Sequence, residues 1–204
     1  MKMKKNDTAL ILFARNPDLG RVKSRLSAAL GEKKALLVYE RLLSHTLKVA
    51  GDHDSDKFIF LSEYLQESLK CTNSVQLLQS GSDLGERMEN AVKKICGMGF
   101  EKICIIGADC PDISCEILND AFKALDKSDA VFGPSHDGGY YLIGLTRLIP
   151  HIFSDIEWGT DSVLETTLSK LDASKISFQL LKKLYDIDTY EDIIVSKHSE
   201  ILND

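Results

Sequence analysis

Cysteine is scarce in this sequence, and its spacing is not that of a cross-linked or metal-bound scaffold. The 204 residues include five cysteines, an odd number, and no two of them follow a Cys-x-x-Cys spacing. We therefore expect neither a disulfide framework nor a zinc site, and we expect a reducing compartment. A chain of this length buries about 70% of its unfolded surface on folding, so it needs no cross-link for stability.

Long apolar runs and an excess of positive charge are also missing. No apolar run approaches the ~20 residues that cross a bilayer, and TALILFA at 8–14 passes directly into a polar loop. We therefore expect a cytoplasmic protein without a membrane span. Lys and Arg number 25 against 31 Asp and Glu, a net charge of −6. This balance argues against a general nucleic-acid binder, which needs a basic face.

Apolar runs and amphipathic segments alternate along the chain, without an internal repeat or a Pro/Gly-rich linker. Apolar runs predict strands at 8–14, 57–62, 75–79, 102–109, 129–134, 140–145 and 176–181. Apolar residues spaced by three and four predict helices at 32–50, near 63–70, at 84–95, 114–125 and 161–171, and from 189 onwards. The alternation predicts one α/β domain over residues 1–204, with a mostly parallel sheet between two layers of helices.

Capping and turn residues stand between these segments. Ser114 and Asp161 are each expected to cap the helix that follows, and Thr189 with Asp192 has the pattern of a capping box. The Asp-Gly pair at 137–138 lies between two strand-like runs and predicts a hairpin.

Polar loops follow several of the predicted strands. In α/β sheets of this kind, ligands bind at the carboxyl ends of the strands. The loops in that position are 15–25, 80–87, 109–112 and 135–139. We therefore expect their side chains to contribute to one site.

The first of these loops lies in FARNPDLGRVKSRL and is rich in cations. Lys23 and Arg25 suit the oxygens of a polyphosphate, and Gly20 would let the backbone approach a ligand closely. Neither GxxxxGKS/T nor GxGxxG occurs in the loop, so it matches neither common phosphate-binding fingerprint. A solvated basic turn is an equally good interpretation of the composition alone.

Carboxylates follow the 102–109 run and precede the last helix. Asp109 ends the run, and Asp186 and Asp188 flank Ile187, so both of these carboxylates are expected to point the same way. Mg²⁺ and Mn²⁺ prefer carboxylate and phosphate oxygens, which makes Asp109 a candidate metal ligand. Helix capping explains Asp112 better than metal binding does, and it explains the second acidic stretch equally well.

The predicted hairpin and a tryptophan supply candidates for a second substrate. His136 or Asp137 could act as a catalytic base, because histidine titrates near neutrality and carboxylates can be tuned. Gly138 and Gly139 would let a sugar or base approach the backbone, and Trp158 would offer a stacking platform. A plain hairpin turn and a core tryptophan are the alternatives.

Six ordered motifs carry a resemblance to a known family. They are FARNPDLGRVKSRL, SDLGERM, GADCPD, GPSHDGGYYLIGL, WGTDSVL and DIDTYEDI, from about residue 8 to 195. Together they resemble the DUF2064-type, glycosyltransferase-A-like family of bacteria, which is similar to the molybdenum-cofactor and 2-phospholactate guanylyltransferases. The resemblance implies a three-layer α/β/α, Rossmann-like nucleotide-diphospho-sugar transferase (GT-A) fold. It also implies three binding partners: a nucleotide or nucleotide-sugar, Mg²⁺ or Mn²⁺, and a small-molecule acceptor.

The resemblance further implies roles for individual residues. They are Arg15, Gly20, Lys23 and Arg25 for phosphate, Asp83 and Arg87 near the base and ribose, and Asp109 and Asp188 for the metal. Lys23, Asp109 and Asp137 are the candidates for catalysis, and His136, Gly138, Gly139 and Trp158 for contacts with the substrate.

Glycosyl transfer from a nucleotide-sugar is the predicted function, and two alternatives stand beside it. Asp109-Cys-Pro-Asp112 replaces the Asp-x-Asp of glycosyltransferases and is more similar to the nucleotidyltransferase pattern. The loop at 16–20 carries less glycine than nucleotidyltransferase loops do. The alternatives are therefore nucleotidyl transfer from an NTP with release of pyrophosphate, and a non-catalytic nucleotide sensor or scaffold.

Overall fold

A single mixed sheet forms the centre of the computed structural model, which describes residues 7–203; residues 1–6 and 204 of the predicted domain lie outside the described range. The strands are β1 Thr8–Ala14, β2 Asp56–Leu61, β3 Ser74–Leu78, β4 Lys102–Ile106, β5 Ala130–Pro134, β6 Tyr140–Leu145 and β7 Phe178–Leu180. Their order is β3-β2-β1-β4-β6-β5-β7. Only β6 runs antiparallel to its neighbours, which confirms the mostly parallel sheet among the described residues.

Helices cover both faces of this sheet. They are α1 Ser24–Leu30, α2 Glu32–Asp52, α3 Leu84–Gly97, α4 Cys115–Ala124, α5 Val163–Ala173 and α6 Tyr190–Val195. Side chains alternate along β1 because successive residues of a strand point to opposite faces. Leu10 and Leu12 therefore pack in one core with Tyr39 of α2, and Ile11 packs in the other core with Met88 of α3. This confirms the three-layer architecture.

The segment 63–70 forms turns, so the helix predicted near it is wrong. Side chains elsewhere in the chain bind backbone groups of this segment. The amides of Glu63 and Tyr64 donate to the Asn16 side chain, and the amide and carbonyl of Gln66 bond the side chain of Gln76. These longer-range contacts hold the segment in an irregular path.

Two of the predicted helix caps are present, and one is wrong. Ser114 accepts the amide of Ile117, and Thr189 with Asp192 forms a capping box. Asp161 does not cap α5, which begins at Val163 without a side-chain cap. In place of a cap, the amide of Leu164 donates to the Gly138 carbonyl at 2.9 Å. The hairpin loop therefore supplies a hydrogen-bond acceptor for a backbone amide at the start of this helix.

Two further features agree with the composition. All five cysteines are free. Among the described residues, no helix has both the length and the apolar character needed to cross a membrane.

Candidate active site

A cavity of about 700 Å³ opens at the carboxyl ends of β1 and β4. The chain passes from β1 outwards to β2 and β3 and then returns to β4 on the other side, so the sheet order reverses between β1 and β4. The predicted residues that line the cavity are Arg15, Lys23, Arg25, Asp83, Arg87, Asp109, Asp137, Gly139, Trp158 and Asp188. A second hollow of about 540 Å³ lies beside α2 and contains none of the predicted site residues.

Lys23 lies at the centre of the charged part of the cavity. Its backbone is left-handed, with φ 50°, and it immediately precedes α1. Its side chain is 5% exposed, and Nζ lies 2.5 Å from Asp109 Oδ1 and 2.7 Å from Asp188 Oδ1. Burial acts to lower the pKa of Lys23, but the two carboxylates raise it above its ordinary value. The ammonium is therefore charged at neutral pH.

A backbone hydrogen bond connects the acidic segment 186–188 to Asp109, in the loop after β4. The amide of Ile187 donates to the Asp109 carbonyl at 3.0 Å, and the Ile187 side chain is fully buried. Asp186 and Asp188 consequently both line the cavity, as expected from their spacing. Burial acts to raise the pKa of Asp188, but Lys23 and Arg25 lower it below its ordinary value.

Asp186 is a carboxyl group in a different electrostatic environment. Burial is the main cause that raises its pKa to about 8, and the neighbouring charges of Asp109 and Asp137 add to the shift. Among the described residues, several carboxyl groups therefore lie close together, and the ammonium of Lys23 is the only one between them.

The hairpin loop between β5 and β6 presents Asp137 to the cavity. Asp137 Oδ1 accepts hydrogen bonds from the hydroxyl of Ser135 and, at 3.0 Å, from the amide of Gly139. Gly138 has φ 91°, and a Cβ there would lie 2.1 Å from the Asp161 carbonyl oxygen. Gly138 thus allows the two loops to pack closely, and it does not line the cavity.

His136 and Gly20 lie outside the cavity lining, in contrast to what the sequence suggested. The ring of His136 stacks on Tyr185 at 3.8 Å, and its amide donates to the Leu184 carbonyl. Gly20 has φ 75° and faces the carboxylate of Glu32. Stacking on Tyr185 therefore accounts for His136, and the positive φ accounts for the glycine at position 20. Neither residue requires a ligand to explain it.

Arg15 is held by a residue that the sequence analysis did not single out. The hydroxyl of Tyr39 accepts the Arg15 amide at 2.8 Å and donates to the Arg15 carbonyl at 2.9 Å. Tyr39 is buried, and burial strongly raises its pKa, so the hydroxyl keeps its proton. A hydroxyl on the otherwise apolar face of a predicted helix was the available signal.

Asn16 is the second residue that sequence reasoning missed. Its side chain is 2% exposed and connects the loop after β1 to the loop after β2. Oδ1 accepts hydrogen bonds from the Ser62 hydroxyl and the Glu63 amide, and Nδ2 donates to the Tyr64 carbonyl at 3.0 Å. Asn16 therefore fixes the base of the cationic loop, and its identity as a turn residue gave no signal of this role.

The start of α3 forms another wall of the cavity. Asp83 caps the helix by accepting the amide of Glu86, and Arg87 Nε donates to the Gly81 carbonyl at 3.1 Å. A Cβ on Gly85 would lie 2.8 Å from Trp158 Nε1, so the indole packs directly against the helix. Trp158 is thus both a packed residue and part of the cavity lining.

Asp112 turns away from the cavity. Its Oδ1 lies 3.0 Å from His198 Nε2, and α4 is capped by Ser114. Neither the capping role expected for Asp112 nor an Asp-x-Asp arrangement is present here.

Asp109 and Asp188 fit a divalent cation, although no three His, Cys, Asp or Glu side chains among residues 7–203 are grouped to hold one alone. Both carboxylates already converge on one cation, the Lys23 ammonium. Mg²⁺ in nucleotide sites is commonly held by one or two carboxylates together with substrate phosphates and water. The pair therefore matches the protein's share of such a site.

Comparison with known proteins agrees with this fold. The family described as "Uncharacterized protein conserved in bacteria (DUF2064)" matches residues 40–160. Among curated proteins, no sequence matches the chain.

Solved structures give closer comparisons. A Desulfovibrio desulfuricans G20 protein, provisionally assigned as a nucleotide-diphospho-sugar transferase, is 29% identical, with a TM-score of 0.89 over 96% of this chain and 88% of its own. The 4-diphosphocytidyl-2C-methyl-D-erythritol synthase of Anaerococcus prevotii is 15% identical, with a TM-score of 0.59 over 95% of each chain. Mycobacterium tuberculosis Rv0371c in complex with manganese is 14% identical, with a TM-score of 0.50 over 94% of this chain and 98% of its own. These similarities confirm the predicted fold and the predicted transferase class.

Proposed function

The chain belongs to the DUF2064 family, and on this premise we propose that it is a glycosyltransferase that uses a nucleotide-sugar as donor and a hydroxylated small molecule as acceptor. The observation that carries the proposal is a single cavity that is lined both by three arginines and by the carboxylates of Asp109, Asp137, Asp186 and Asp188. The arginines suit a diphosphate, and a carboxylate suits a hydroxyl group that loses a proton.

The three arginines come from the loop after β1 and from the first turns of α1 and α3. They are Arg15, Arg25 and Arg87, and the contact between Tyr39 and Arg15 holds the backbone of the loop. Guanidinium groups bind phosphate oxygens through paired hydrogen bonds, so these arginines suit the diphosphate of the donor.

Asp109 and Asp188, which both contact Lys23, would hold Mg²⁺ or Mn²⁺. Such an ion, when bound, neutralises charge on a diphosphate leaving group. The manganese complex of the related fold supports this assignment.

Asp137 is the proposed catalytic base. Its Oδ1 is engaged by Ser135 and Gly139, and Oδ2 accepts no hydrogen bond from the described residues. The acceptor hydroxyl would attack the anomeric carbon and give its proton to Oδ2. The bond between that carbon and the diphosphate oxygen breaks, and the nucleoside diphosphate leaves with the electron pair.

Nucleotidyl transfer is the second candidate. The fold shared with the Anaerococcus synthase and the position of Asp112 outside the cavity favour it. In that reaction a phosphorylated acceptor attacks the α-phosphorus of an NTP, and pyrophosphate leaves. The acceptor phosphate would then have to approach the carboxylate of Asp137, a repulsion that makes this reaction the weaker candidate.

Product analysis separates the two reactions. The purified chain is incubated with a panel of nucleotide-sugars and NTPs, each with Mn²⁺ or Mg²⁺, and nucleoside diphosphate and pyrophosphate are quantified. We expect metal-dependent release of nucleoside diphosphate from one nucleotide-sugar. Release of pyrophosphate from an NTP would overturn the glycosyl assignment and favour nucleotidyl transfer.

A further inference from the structure

We propose that Lys23 keeps divalent cations out of the site until a nucleotide diphosphate arrives, so that metal and nucleotide bind as a pair. This inference rests on the proposed function, because it concerns the same cavity. It assigns Lys23 a place in the order of binding, in addition to its contact with phosphate.

The ammonium of Lys23 occupies the place at which a metal would be bound. Nζ lies 2.5 Å from Asp109 Oδ1 and 2.7 Å from Asp188 Oδ1. A divalent ion held by the same oxygens, at ~2.1 Å from each, would lie very close to Nζ. Two cations so close together repel strongly in a partly buried site, so the ammonium has to leave before the ion can bind.

Both ion-pair partners of the Lys23 ammonium are carboxylates that the metal ion would take. Among the described residues, Asp109 and Asp188 are the partners of Nζ, and the side chain is 5% exposed. An ammonium separated from both carboxylates would therefore lose its charge partners without regaining full hydration. The affinity for a metal ion alone is thus lowered by the full free energy needed to displace Lys23.

A nucleotide diphosphate removes this cost. Arg15 and Arg25 line the cavity beside Lys23 and are placed to bind the same anion. The phosphate oxygens offer the displaced ammonium a new partner and add ligands to the metal. Each ligand consequently raises the affinity of the other, which is a coupling between two binding events.

Binding of Mn²⁺ alone tests the exchange directly. Free Mn²⁺ is measured by electron paramagnetic resonance during titration of the wild type, Lys23→Met and Arg21→Met, without nucleotide. Methionine removes the charge of Lys23 and retains an unbranched side chain. Arg21→Met is the matched control, because it removes an exposed cation of the same loop that pairs with Glu63 and does not line the cavity.

We expect Lys23→Met to bind Mn²⁺ about tenfold or more tightly than the wild type, and Arg21→Met to change the affinity by less than about threefold. The double variant Lys23→Met/Asp109→Asn should lose the gain. An unchanged or weaker affinity of folded Lys23→Met, checked by circular dichroism, would overturn the proposal. So would tight Mn²⁺ binding by the wild type alone, a result that does not depend on the variant folding.

A parallel titration with UDP and GDP separates failure of this inference from failure of the proposed function. Nucleotide-dependent tightening of Mn²⁺ in the wild type, corrected for Mn²⁺ bound by free nucleotide, is expected. If the protein binds nucleotide but Lys23→Met does not bind Mn²⁺ more tightly, the exchange of Lys23 for the metal ion is contradicted and the proposed function stands. If Lys23→Met binds Mn²⁺ more tightly but no nucleotide binds, the exchange is supported and the proposed function is contradicted.

Discussion

The carbonyl oxygen of Asp109 accepts a hydrogen bond from the amide of Ile187 at 3.0 Å. This contact connects the end of β4 to a segment nearly eighty residues later in the sequence. It brings Asp186 and Asp188 to the strand end at which Asp109 faces Lys23. The charge arrangement of the site thus includes a backbone contact between two loops that are far apart in the sequence.

Asp137→Asn should lower turnover about 10²–10⁴-fold, because an amide cannot accept the acceptor's proton. The apparent affinity for the nucleotide-sugar should change little, since the arginines, and not Asp137, are the proposed contacts of its diphosphate. Steady-state kinetics with the identified donor measure both quantities. His136→Gln is the control and should retain near wild-type turnover, because His136 stacks on Tyr185 outside the cavity. A larger loss in His136→Gln than in Asp137→Asn would reverse the assignment of the base.

Asn16→Ala should destabilise the protein by about 2–3 kcal/mol, because it leaves several buried polar partners unsatisfied. It should also weaken nucleotide binding, since the cationic loop loses its connection to the loop after β2. Urea unfolding and calorimetric titration measure the two effects. Asn90→Ala is the matched control, because Asn90 makes one exposed bond to Ser80. Equal effects of the two substitutions would contradict the structural role of Asn16.

Gly138→Ala should destabilise the protein by about 3 kcal/mol or more, because a positive φ and a backbone clash act together. A Cβ at Gly138 would lie 2.1 Å from the Asp161 carbonyl oxygen. Gly159→Ala isolates the cost of φ, since Gly159 has φ 85° and nothing within 4 Å of its Cβ position. That variant should lose only about 1–2 kcal/mol. Thermal unfolding of both variants gives the comparison, and similar losses would mean that the two loops are not in close contact.

Asp129→Asn should destabilise the protein at neutral pH, and the difference from the wild type should disappear in acid. Hydrogen bonds from Ser177 are the main cause that lowers the pKa of Asp129, and Arg147 adds to the shift. Because the folded pKa lies below the unfolded value, this stabilisation is present above about pH 4 and is lost as the pH falls through the folded pKa.

Unfolding measured from pH 3 to 7 tests the Asp129 prediction. Asp120→Asn, which removes an exposed carboxylate of α4, is the control and should destabilise the protein less than Asp129→Asn at pH 7. A difference between Asp129→Asn and the wild type that stays constant down to pH 3 would contradict the assignment.

The sequence was sufficient to predict which strand-end residues share a site, but it did not predict which loops contact each other. The apolar runs at 8–14 and 102–109 predicted strands, although β4 ends three residues before Asp109, at Ile106. The strand-end rule then placed Lys23 and Asp109 in one site, and both line the same cavity in the structure. Periodicity carries no information on which loop contacts which, so the roles of Asn16 and Tyr39 were missed. The same limit explains the helix wrongly predicted near 63–70, whose backbone groups are bound by side chains from elsewhere in the chain.

Thermal unfolding with a panel of nucleotides and nucleotide-sugars, each with and without Mn²⁺, tests the central claim most directly. A ligand at 100 times its dissociation constant stabilises the folded state by ~2.7 kcal/mol, which raises the melting temperature by several degrees at this size. We predict a metal-dependent rise with at least one nucleotide-sugar, and loss of the metal dependence in Asp109→Asn. A folded wild type that shows no rise with any nucleotide or nucleotide-sugar would contradict the account.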